Sequence, residues 1–99
     1  MTKQRATELT QSAYNFCLKH RSGGARIIAS FILAAYNGSY KAEIDGVGNL
    51  DREHFEMTMG IIHLRWYGFE PHQVVTNGSK KTHELAKLFQ PETWYGVRN

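Results

Sequence analysis

The stretch SGGARIIASFILAAYNG, residues 22–38, constrains the fold more than any other part of the chain. Between a glycine pair and an Asn37-Gly38 stop signal, Ile27, Ile28, Phe31, Ile32 and Ala35 recur at helical spacing, with Leu33 on the flank. A helix this apolar around its circumference has to be enclosed by other elements. The pattern therefore predicts a helix from about Ala25 to Tyr36 as the most buried element of an all-α domain. Ninety-nine residues at 41% hydrophobic content fill one compact domain, and residues 1–6 are expected to be flexible.

Three further helices follow from periodicity and punctuation. Leu9, Ala13, Phe16 and Cys17 mark one face of a helix from about Thr7 to Arg21, closed by Ser22-Gly23-Gly24. In LDREHF, Asp51 has the position and chemistry of an N-cap, and Leu50 and Phe55 have the spacing of a hydrophobic staple. The helix they start is predicted over Arg52 to Trp66 and carries two apolar stripes. One is Phe55, Met59, Ile62 and Trp66; the other is Met57, Ile61 and Leu64. Two stripes predict contacts on both sides: core on one, and core, partner or a second copy on the other. A last helix, about Lys80 to Phe89, points Leu85, Leu88 and Phe89 inward, and Pro91 ends it. The remaining strand signals are weak, around 42–44 and at Val74-Val75. Four helices with at most one minor strand pair are expected, with the tail (Trp94, Tyr95) packed back on them.

The formal charge of +3 is unevenly placed. Residues 1–41 carry +5, residues 42–79 carry −4 and residues 80–99 carry +2. Such polarity suits a macromolecular partner. Residues 1–8, MTKQRATE, are polar and no long apolar run exists, so a soluble protein of a bacterial cytoplasm is expected, away from membranes. The lone Cys17 has no internal disulfide partner and sits at core spacing.

No constellation for catalysis or metal stands out. The Gly23-Gly24 loop lacks the preceding strand and the lysine–hydroxyl end of a phosphate-cradling loop, so it reads as a helix–helix joint capped by Ser22 or a glycine. His54 and His63 fall on opposite faces of their helix, and Glu56 and His63 sit roughly 10 Å apart along the axis. His20, His72 and His83 read as surface residues. No cofactor, metal or catalytic residue is expected. The aromatic residues say more: Tyr36, Tyr40, Trp66, Tyr67, Trp94 and Tyr95 gather near element ends, where large amphipathic rings anchor interfaces or finish a core. The candidate partner-binding residues are Arg21, Arg26, Tyr40, Lys41, Glu53, Glu56, Arg65 and Tyr67.

Arg26, Ala29, Phe31-Ile32-Leu33-Ala34, Tyr36 and Asn37, followed by Leu50-Asp51 and HELAKLF (83–89), together resemble a family of small uncharacterised bacterial proteins of unknown function, carried on plasmids and prophages. The likeness spans about residues 22–90, and YKAEIDGVGN is longer and more acidic than that pattern. The resemblance implies a mobile-element context and an accessory protein acting on host machinery, but no activity.

Two functions remain in contention. The first is a non-enzymatic phage or plasmid factor that binds a host protein or complex, for instance an anti-CRISPR-like inhibitor of host defence. The second is a small nucleic-acid-binding protein using Lys19, Arg21, Arg26 and Lys41, although no basic recognition helix accompanies them.

Overall fold

A computed structural model describes residues 1–89; Trp94, Tyr95 and the rest of the expected back-packed tail lie outside the described residues. Four α-helices run in the order α1 (Lys3–Lys19), α2 (Gly23–Tyr36), α3 (Arg52–Trp66) and α4 (Gly78–Leu88). Two 3-10 turns, Ile44–Asn49 and Pro71–Val74, sit in the longer connections. No strand occurs among the described residues.

Local chemistry sets the boundaries. Three of the four helices open on a short polar side chain that accepts a hydrogen bond from a free backbone N–H. Thr2 Oγ1 accepts from the N–H of Arg5, Ser22 Oγ from that of Ala25 and Asp51 Oδ1 from that of His54. The Thr2 cap places the start of α1 at Lys3, four residues before the expected start at Thr7. Residues 3–6, expected to be a flexible lead-in, are the opening turn of that helix, and Ala6 is fully buried. Asn77 opens α4 from the left-handed region, at φ 56°, with no side-chain cap. Gly78 follows it because a Cβ there would stand 1.9 Å from the carbonyl oxygen of His72.

The minor strand pair that the sequence allowed at most does not form among the described residues, and turns occupy these segments. The N–H of Glu43 donates to Ser30 Oγ on α2, which ties this connection against a helix, and Ile44 begins a 3-10 turn. At residues 71–74, Pro71 fixes its own φ for a turn, and Glu70 and Gln73 close a capping box around it. Neither segment has an extended neighbour to pair with.

α2 is the central element, as its pattern predicts: Ala25 and every position from Ile27 to Leu33 are buried. α1 lies along α3, and the two approach closely at Gly60, where a Cβ would meet Leu9 Cβ at 2.4 Å. α4 closes the third side through Leu85, Phe89 and a buried polar link. Thr82 donates to the carbonyl of Gly78, so Tyr14 is the donor in the 2.5 Å bond between Tyr14 and Thr82. Burial pushes the Tyr14 phenol up to about 12 despite that bond.

Candidate functional site

α3 decides where the functional surface lies. Its residues Met57, Thr58, Gly60, Ile61 and Leu64 face the core. Its other stripe does not: Trp66 is 81% exposed, Ile62 44% and Phe55 40%, with Met59 half-buried. The staple geometry expected for Phe55 thus leaves a largely open ring rather than a buried one. The reading of Trp66 as a residue that finishes the core is overturned. Its indole projects from the last turn of α3, and helical spacing sets it about 160° around the axis from Leu64.

Two open hollows meet at this exposed end. One, about 480 Å³, lies between α3 and α2 and is floored by Phe31, Ala34 and Ala35, with Ala42 and Ile44 on the connecting segment. Ile44 is 73% exposed, so the rim carries apolar surface as well as the Arg65 side chain. The other, about 330 Å³, is bordered by Met1, His63 and Tyr67. Ile62 and Trp66 line both hollows, which makes the apolar surface continuous. Tyr67 stacks edge-on against Trp66 at 5.7 Å and donates its hydroxyl to the carbonyl of Met1, which fixes the ring at the margin. Side chains of this size, left apolar on the surface of a small domain, make this end of α3 the candidate contact surface.

Among the candidate binding residues, Arg65 and Tyr67 are brought to these hollows. Lys41 adjoins Ala42 at the rim, and Tyr40 precedes it, its N–H bonded to the carbonyl of Asn37. Glu53 is exposed on the first turn of α3, and Glu56 lies 3.9 Å from Arg5 of α1. Arg21 and Arg26 are engaged elsewhere. The Arg21 guanidinium donates to the carbonyls of Cys17, Leu18 and His20, closing the C-terminus of α1, and lies 5.8 Å from the Phe89 ring. Arg26 forms an ion pair with Glu43. The glycine pair is the joint its sequence predicts, with Ser22 as the cap of α2.

The remaining polar groups are absorbed by packing. Cys17 is fully buried, its thiol donates to the carbonyl of Ala25, and desolvation pushes its pKa up to about 12, which keeps it protonated. His54 stacks on Phe16 at 4.3 Å. His72, expected at the surface, is half-buried with its ring edge-on to Tyr36 at 5.1 Å, while His83 is exposed beside the same tyrosine. Among the described residues no three His, Cys, Asp or Glu side chains are placed to hold a metal ion, and no helix is long and apolar enough to cross a membrane.

Ile44 and Ile62 were missed as site residues at the sequence level. The signal for Ile62 was the second stripe of α3; for Ile44, flanked by acidic residues and glycines, no periodic signal existed. A model of a family of unknown function, DUF7673, matches residues 9–89, and the chain belongs to that family. The match extends upstream of the expected 22–90 to take in most of α1. No curated protein and no solved structure matches the chain.

Proposed function

We propose that this DUF7673 member is a non-enzymatic protein-binding factor whose working surface is the outer face of α3 and the hollows beside it. The observation that carries this reading is Trp66, 81% exposed at the point where two apolar hollows join. Aromatic anchors surrounded by aliphatic side chains form the energetic centres of protein interfaces. The rim supplies Arg65 and His63, polar groups suited to fixing orientation.

In its finer form the proposal is an accessory factor of a phage or plasmid that acts on a host protein complex. A small rigid domain with segregated charge supports that form, since complementary potentials steer encounter and select partners. The nucleic-acid alternative draws less support, because Arg21 and Arg26 are held by carbonyl groups and by Glu43.

Photo-crosslinking in living cells tests the reading. A benzophenone amino acid replacing Ile62 is expected to capture a polypeptide, while the same group replacing Ser79, exposed on α4, captures none. Equal capture at both positions, or none at position 62, overturns it.

A further inference from the structure

We propose that the polypeptide seated on the outer face of α3 is a second copy of this chain, paired antiparallel through α3 about a twofold axis. The inference rests on the protein-binding reading above and names the occupant of the same surface.

Spacing supplies the first argument. Phe55, Met59, Ile62 and Trp66 are separated by four, three and four residues, the a/d period of a two-stranded helical seam. At about 1.5 Å per residue the seam is about 16 Å long. An antiparallel twofold sets Phe55 opposite Trp66 of the second copy and Met59 opposite its Ile62, so each large ring meets the other and the two smaller side chains share the centre. An isologous contact of this kind closes on itself and leaves nothing for further copies to add to.

Charge supplies the second. On the helix surface Glu56 and His63 flank the seam on one side, Asp51 and Arg65 on the other. Antiparallel pairing apposes like flanks, which brings Glu56 beside His63 of the second copy and Arg65 beside its Thr58. Parallel pairing sets Asp51 against Glu56, two carboxylates, across the seam. Like signs on facing flanks oppose the parallel orientation, and antiparallel pairing avoids that contact. Arg5 of the same chain lies 3.9 Å from Glu56, an exposed contact that leaves the carboxylate open to a further hydrogen-bond donor.

Area supplies the third. The exposed portions of Met1, Ile44, Phe55, Ile62, Trp66 and Tyr67 amount to on the order of 600 Å² of mostly apolar surface, near the ~800 Å² per partner of a standard interface. A dimer of modest strength fits that size.

Sedimentation velocity on the full chain tests the proposal between about 1 and 200 µM. The wild type is expected to reach twice the 11.3 kDa chain mass within that range. Ile62→Glu is expected to weaken self-association at least tenfold with an unchanged helical circular dichroism spectrum, because the side chain is surface-exposed and its loss leaves the core intact. Orientation is read by oxidation: a mixture of Phe55→Cys and Trp66→Cys chains is expected to form a mixed disulfide, and Phe55→Cys alone none. A wild type that stays monomeric at 200 µM overturns the inference, and so does efficient self-crosslinking of Phe55→Cys. If the chain is monomeric while position 62 still crosslinks a different polypeptide in cells, the second copy is wrong and the protein-binding reading survives. If neither occurs, both fall.

Discussion

The joint between α1 and α2 and the last turn of α3 both carry candidate binding residues, and the two regions differ in how the chain encloses them. Residues 19–26 read as a helix–helix joint with two candidate arginines, and those arginines serve the fold. Arg21 closes α1, Ser22 opens α2, the Cys17 thiol links the two and Arg26 pairs with Glu43. Residues 62–67 end a stripe whose pattern leaves core or partner open, and there Trp66 is largely exposed and Ile62 partly so, around two apolar hollows. What separates the regions is how far each group is enclosed by the chain. A charge whose partners are internal is architecture; a large ring left mostly to solvent is an invitation.

Substitutions on the two sides of α3 test that distinction with the largest expected effect. Leu64→Ala removes a fully buried side chain and is expected to cost about 3 kcal/mol of unfolding free energy in urea titrations. A loss below about 1 kcal/mol would mean the inner stripe is not the core.

At the joint, pH is the probe. The folded Cys17 thiol holds its proton up to about 12, whereas its ordinary value is 9.0. Above pH 9 the unfolded chain therefore binds fewer protons than the folded one, and stability falls as pH rises from 9 towards 12. Tyr14, raised from 10.0 to about 12, deepens the fall from pH 10 onward. The expected loss by pH 10 is about 2 kcal/mol, and Cys17→Ala should remove most of the pH dependence between 9 and 10. A wild-type profile that is flat from pH 7 to 10 would show that the thiol is accessible to water.

Ser22→Ala sharpens the architectural reading of the glycine loop. It deletes the cap of α2 and is expected to cost about 1 kcal/mol in the same titrations, with no effect on self-association. Changed self-association would move the joint into the interface. The smallest effect is expected at the other region: Ile62→Ala, at about 1 µM protein, should shift the unfolding free energy by less than about 0.5 kcal/mol.

Much of the fold was legible because it depends on local signals. Asp51 started α3 at the residue its chemistry predicts, and the apolar density of α2 marked the centre. The early start of α1 was hidden because Thr2 caps it through a single hydroxyl, ahead of any periodic residue. The two 3-10 turns carried no signal beyond that of a loop, and the weak extended hints at 42–44 and 74–75 fall at their edges, since the turn geometry comes from tertiary anchoring on Ser30 and from a capping box around Pro71, and not from alternation. The candidate site was legible only as a question. The second stripe of α3 announced a contact, but choosing between core and partner requires knowing that α1 and α2 flank α3 without covering Ile62 and Trp66. That placement is a property of three helices together. Ile44 carried no signal because its exposure is set by how the segment after α2 folds back on that helix.

The central claim is that the exposed end of α3 is there to bind and contributes little to folding. Its most direct test is the crosslinking yield from position 62 in cells, measured in a chain that also carries Trp66→Glu. The account predicts a soluble, fully helical protein whose crosslinking yield falls at least tenfold. An undiminished yield, or a chain that no longer folds, would contradict it.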